Sequence, residues 1–231
     1  MSLFSRWKAP GSQPGPPPGP RVLSRGRHTV LREFARPDID RWTEWPRHDD
    51  PLFENYNPPV LTARQRDDYY RERLRCPTSR QYSVDDLENR FVGRISLREM
   101  DPSRGMAVLG LSFHPRRLGQ GLGSDAMLVF LRHYFTQMRM RALYLDVAAF
   151  NHRARRLYDR CGFRACGQRW GDSQTDYAGV FHRPQYESIR PLFMWDYGLI
   201  RPLVIDMVLY RAQWERLREE PAAVSRIGLP V

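Results

Sequence analysis

The chain has 231 residues, with 37 Lys or Arg against 26 Asp or Glu and a net charge of +11. That length suits one domain with a substantial core. The positive balance invites anionic partners, but Lys8 is the single lysine and the arginines are spread along the chain, so a nucleic-acid patch is not expected. Cys76, Cys161 and Cys166 are odd in number and have no metal-ligand spacing. Free thiols in a reducing compartment, and no metal site, are the expectation. No apolar run is long enough to cross a membrane, and residues 1–8 lack the apolar stretch of a secretory signal. A cytoplasmic protein follows as an expectation.

Residues 1–25 read as a disordered tail, because positions 9–20 (APGSQPGPPPGP) are half proline and cannot bury enough surface to fold. Residues 27–34 (RHTVLREF) alternate enough for a first strand. Pro37 and Asp38 open a helix carrying Ile39, Trp42 and Trp45, and Pro46 stops it. A heavily charged helix follows over 62–75, ended at Cys76-Pro77. Its Asp67, Asp68 and Glu72 form either a solvated face or an attractor for a cationic acceptor. Strands over 80–84 and 90–100, with turns at 85–89 and 101–105, make an antiparallel meander. The third member is 106–113 (MAVLGLSF), a buried strand bounded by Gly105 and Pro115.

Gly119, Gly121 and Gly123 follow that strand and precede a helix expected over 124–137. Ser124 is expected to cap it, with Asp125 suiting its positive end. Alternating glycines let backbone N–H groups converge on one anion. Gly119, Gln120, Gly121, Leu122, Gly123 and Ser124 therefore form a candidate cradle. A Walker loop needs a lysine before the helix, which is absent. A dinucleotide fingerprint lacks its third glycine, although Asp146 stands near the acidic position that motif wants. A coenzyme A pyrophosphate is the remaining anion.

Residues 141–149 (RALYLDVAA) alternate as a strand, and Asn151 caps a short helix that Gly162 ends. A strand then runs to about Trp170. Positions 171–202 have no clear periodicity but carry Tyr177, Phe181, Tyr186, Phe193, Trp195 and Tyr197. Such a segment is functional or an added layer. Residues 203–210 close the sheet, 211–219 start a helix, and 221–231 are a loose end. The fold expected is α/β: a mixed, mostly antiparallel sheet of about seven strands flanked by helices. It forms one domain over 26–220, with the aromatic insertion at 171–202.

Loop GQGLGS, strand LYLDVAAFN and helix NHRARRLYDRCGF together resemble the GNAT acetyltransferase superfamily, strongly over 91–169 and more weakly over 30–90 and 203–217. The branch most resembled is that of the ribosomal-protein N-terminal acetyltransferases. The family pattern Gln/Arg-x-x-Gly-x-Gly/Ala fits in two registers: Arg116 with Gly119 and Gly121, or Leu118 with Gly121 and Gly123. The second is preferred for placing Ser124 at the helix start. The resemblance implies acetyl-CoA as co-substrate and Tyr158 as the acid that protonates the departing thiolate. It implies that the backbone of Leu111, Ser112 and Phe113 pairs with the pantetheine arm and polarises the thioester. Asn151 joins the cofactor set. Asp146 matches a glutamate of related enzymes and is the base candidate, with Glu99 and Asp101 as fallbacks.

Direct acyl transfer to an amine needs no covalent enzyme intermediate, so Cys161 is not required as a nucleophile. The expected activity is acetyl transfer from acetyl-CoA to an amine, with a protein N-terminus as first choice of acceptor. The alternatives are a small amine (aminoglycoside or polyamine) and a non-catalytic acyl-CoA-binding module. A homodimer is a further possibility, with the insertion at the acceptor mouth or a subunit contact.

Overall fold

A computed structural model describes residues 19–172, 177, 179–180 and 183–219. The readings for residues 1–18 and 220–231, and for Phe181, lie outside the described residues. Strands β1 (Val22–Arg25), β2 (Thr29–Glu33), β3 (Arg80–Asp86), β4 (Phe91–Asp101) and β5 (Met106–Phe113) form a continuous antiparallel meander. Strand β1 begins inside the stretch read as tail; it pairs antiparallel with β2. Strands β6 (Ala142–Ala148), β7 (Arg164–Trp170), β8 (Phe193–Asp196) and β9 (Leu199–Tyr210) complete the sheet. Its order is β1-β2-β3-β4-β5-β6-β9-β7, with β8 paired to the start of β9. The sheet therefore has nine strands where about seven were expected. The additions are short pieces, β1 and β8, fixed by distant partners more than by local pattern.

Among the described strands only β5 and β6 run parallel, and their register extends from Met106↔Ala142 to Leu109↔Leu145. Beyond that point both strands continue unpaired to each other. Strand β4 stays with β5 to Gly93↔Phe113, and β9 stays with β6 to Ala148↔Val204. The sheet thus splits into two halves, and the β6-facing edge of β5 is left without a strand partner from Gly110 onward.

The helices follow from capping and apolar spacing. Helix α1 (Arg36–Thr43) has Pro37 in its first turn and buries Ile39 and Trp42. Helix α2 (Ala63–Arg75) starts at Thr62, whose hydroxyl accepts from the Gln65 amide while the Gln65 side chain caps in return. Helix α3 (Leu122–Arg132) runs on through a wider turn at His133–Gln137. Its stripe Ala126, Met127, Phe130, Tyr134 and Phe135 is almost wholly buried. Helix α4 (His152–Arg160) starts at Asn151, whose Oδ1 accepts from the Ala154 amide at 3.2 Å. Helix α5 (Arg211–Glu219) sets Trp214 against Phe135, ring centroids 5.1 Å apart.

The main core lies between the sheet and α3, α4 and α5. A second cluster joins Leu52, Phe150, Tyr177, Tyr186, Phe193 and Ile200. Tyr177, Tyr186 and Phe193 of the insertion thus pack with Leu52 and Phe53 of a short 3-10 helix, Pro51–Tyr56, and with Phe150, while Trp195 and Tyr197 are exposed. The Tyr186 hydroxyl donates to Asp50 at 2.8 Å. What read as a structureless stretch contains a second 3-10 helix (Pro184–Leu192) and a hairpin, β8 to β9.

Candidate active site

The gap between the two half-sheets opens into a cleft of about 700 Å³. At one end stands the glycine turn. Gly119 and Gly121 both hold φ of +79°, and a Cβ on either would meet nothing within 4 Å. Left-handed backbone of this kind is natural for glycine and strained for other residues. Gly121 is the N-cap of α3, so the helix begins at Leu122 and not at Ser124. Ser124 therefore lies inside the first turn and does not cap. Its amide and that of Asp125 both return to the Gly121 carbonyl, each at 3.1 Å. Gly121 belongs to both registers of the family pattern, Arg116 with Gly119 and Gly121 and Leu118 with Gly121 and Gly123. The amides of residues 119–123 have no acceptor among the described residues. Those at a helix start carry partial positive charge.

Leu111, Ser112, Phe113, Gly119, Gly121, Gly123, Ser124, Asp146, Asn151 and Tyr158 all line the cleft. Leu122 and Gln120 do not. Leu122 is buried in the core, and the Gln120 side chain turns back to the Arg116 carbonyl at 3.2 Å. Only their backbone amides belong to the turn. Of the arginines on α4, Arg160 reaches Ser124 Oγ at 3.4 Å and Arg153 lines the cleft, while Arg155 donates to the Ala149 carbonyl at 3.3 Å.

Tyr158 is 7% exposed and packs on Phe163. Burial pushes its phenol well above the ordinary tyrosine range, and Tyr56, Cys161 and Asp146 push the same way. It therefore keeps its proton near neutral pH, as a general acid must. Tyr56, on the Pro51–Tyr56 turn, also lines the cleft. Asn151 Nδ2 donates to its hydroxyl at 3.2 Å. Burial raises Tyr56 too, against that hydrogen bond. Sequence reasoning missed Tyr56, because no local signal ties a tyrosine before a Pro-rich loop to a helix cap 95 residues on. Asp146 accepts from Arg98 Nη2 at 2.8 Å, so its carboxylate is engaged by a cation from β4. The fallbacks Glu99 and Asp101 do not line the cleft. Cys161 is 3% exposed, and burial pushes its thiol up to about 12, far from the reactive thiolate.

The carboxylates of α2 stand apart. Asp67 pairs with Arg36 at 2.6 Å and Asp68 with Arg71 at 2.8 Å, and neither these nor Glu72 line the cleft. Among the described residues no cluster of His, Cys, Asp or Glu could hold a metal, and no helix is long and apolar enough to cross a membrane.

A split mixed sheet with a glycine turn at a helix start fits an acyl-coenzyme A transferase. Comparison with known proteins sharpens this. Residues 28–164, more than half of the chain, match the acetyltransferase (GNAT) domain. The chain belongs to the GNAT acetyltransferase family, in which acetyl-CoA is the acyl donor. A spermidine N(1)-acetyltransferase of Vibrio cholerae serotype O1 is 24% identical over 108 residues. That match takes in 47% of this chain and 62% of the relative. A crystal structure of the Vibrio cholerae spermidine N-acetyltransferase in complex with CoA and spermine superposes with a TM-score of 0.64 at 18% identity, over 81% of this chain and 98% of that one. Mutant forms of the spermidine/spermine N-acetyltransferase from the same organism give 0.62 at 20% identity, over 83% and 98%. These likenesses establish the fold. The ribosomal-protein branch expected from the motifs finds no support in these relatives.

Proposed function

We propose that this chain transfers the acetyl group of acetyl-CoA to the primary amine of a small molecule. The observation that carries the reading is the splay of β5 from β6, with the glycine turn at one end and Tyr158 inside. In this reading the pyrophosphate sits on the amides of residues 119–123. The pantetheine arm pairs with the open edge of β5 at Leu111, Ser112 and Phe113, and Asn151 borders it. The neutral amine attacks the thioester carbonyl, and the oxygen gains charge beside backbone donors. The tetrahedral intermediate then collapses, the carbon–sulfur bond breaks, and the Tyr158 hydroxyl gives its proton to the thiolate. The amine's surplus proton leaves through water towards Asp146, which holds Arg98 while doing so.

The relatives' names favour a small amine over a protein N-terminus. Phe53, Tyr56 and Tyr177 line the cleft and would wall a small acceptor. The test is turnover with acetyl-CoA, read as released thiol, against small amines and N-terminal peptides. Turnover with peptides alone would restore the protein-acceptor reading. Thermal stabilisation by acetyl-CoA with no turnover on any amine would leave a binding module.

A further inference from the structure

The acceptor half of the cleft has a charge pattern at odds with a polycation. Among the described residues only Asp146 and Asp172 bring carboxylates to its lining. Asp146 is paired with Arg98 at 2.8 Å, and Asp172 with Arg201 at 3.7 Å. Asp206, the cross-strand partner of Asp146, is held by Arg169. Five arginines line the same cleft: Arg98, Arg117, Arg153, Arg160 and Arg169. Arg160 stands by the glycine turn and Arg117 is tied to Asp86 at 3.0 Å. Arg153 has no carboxylate within ion-pair distance among the described residues; its guanidinium stands 5.8 Å from the Phe53 ring centre. Burial first, and then Arg153, depress the pKa of nearby His48, against the opposite pull of Asp49 and Asp50.

The neutral lining is aromatic. Phe53 meets Phe150 edge-on at 6.1 Å and Tyr56 at 5.9 Å, and Phe150 meets Tyr177 at 6.2 Å. All four line the cleft. Such faces receive a flat apolar body.

An amine must be neutral to attack, but the remaining ammonium groups of a polyamine stay charged. Once desolvated, each needs its own anion or carbonyl partner. Here Asp146 is held by Arg98, the Asp172 carboxylate is 96% exposed to water, where an ion pair gains little, and Arg153 repels. Resting on the acetyltransferase reading, we infer that the acceptor is a monoamine with an aromatic or apolar body, not a polyamine or aminoglycoside. The named relatives' substrate is then not this chain's.

The test uses the full chain loaded with CoA. Calorimetry measures the binding of 2-phenylethylamine, butylamine and spermidine, and turnover with acetyl-CoA is run on the same three. Phenylethylamine is expected to bind roughly tenfold or more tightly than spermidine, and more tightly than butylamine. Arg153→Glu should shift the ratio of spermidine to phenylethylamine affinity about fivefold or more towards spermidine. Spermidine binding as well as phenylethylamine, or no gain from the aromatic ring over butylamine, overturns the inference. Binding in the expected order without turnover sinks the transferase reading and leaves the cleft a binding site that prefers a monoamine. Efficient turnover of spermidine does the reverse.

Discussion

Gly121→Val tests the cofactor end most directly. Gly121 holds φ of +79° at the N-cap of α3, where a new Cβ has no neighbour within 4 Å and stands in open space at the cleft wall. The substitution therefore causes no clash, only backbone strain, of about 1–2 kcal/mol for an L-residue in this region. In a chain of this size such a loss lowers Tm by roughly 2–8 °C. The effect on acetyl-CoA should be larger. Charge-assisted hydrogen bonds contribute about 1.5–3 kcal/mol each. Losing two of the amides of residues 119–123 raises Kd by roughly 10²–10⁴-fold. Gly198→Val is the control. Gly198 has φ of +81° and nothing within 4 Å of its Cβ, but sits in the β8–β9 turn and does not line the cleft. It should lose similar stability and keep its affinity. Calorimetry with acetyl-CoA on both folded variants decides. If Gly121→Val binds within about twofold of the Gly198 control, the glycine turn is not the pyrophosphate site.

Tyr158→Phe should lower kcat by roughly 10²–10⁴-fold with acetyl-CoA affinity unchanged; a kcat within about twofold of wild type would make Tyr158 a packing residue. Tyr56→Phe removes the acceptor of Asn151 Nδ2 and should raise KM for acetyl-CoA several-fold, measured by thiol release under saturating amine. Arg32→Met strands two carboxylates, because Arg32 bridges Asp38 at 2.7 Å and Asp85 at 2.5 Å, all three buried. Urea unfolding should report a loss of about 3–5 kcal/mol. Burial by itself would raise the Asp38 carboxyl, but hydrogen bonds from Arg32 and Ser83 outweigh it and hold it below the ordinary value. A lowered folded value means the stabilisation is present above about pH 4 and drains away as pH falls through the folded value. Acid unfolding of Asp38→Asn should therefore lack part of the wild type's decline.

Much of this arrangement was readable locally. Strand β5 matches its apolar run residue for residue, and Asn151 caps α4 where its side chain can meet the Ala154 amide. The glycines signalled a turn, but not which of them caps α3. Leu122 looked like loop because the first residue of a helix has no upstream turn to set its period. The rest was hidden by distance in sequence. Arg98 meets Asp146 across 48 residues, and Asn151 meets Tyr56 across 95. No window on one segment contains both partners. The aromatic insertion failed for the same reason: Tyr186 and Phe193 are ordered by Asp50 and Phe150, not by neighbours in the chain.

The β1–β2 bend at the front of the chain reaches the first turn of α3, beside the proposed pyrophosphate turn. A carboxylate in the first turn of α3 would ordinarily repel an arriving phosphate. Asp125 is that carboxylate, but its oxygens accept from the amides of Arg27 and His28 at 3.0 and 2.9 Å and from the Thr29 hydroxyl at 2.7 Å. Three donors muffle its charge and turn it towards the β1–β2 bend, leaving the other side of the helix start electropositive. If the glycine turn holds a pyrophosphate, the hairpin at the sheet's far edge would act there as an electrostatic shield without lining the cleft. A change at Thr29 would be felt as weaker anion affinity, on the opposite face of the helix from the cleft.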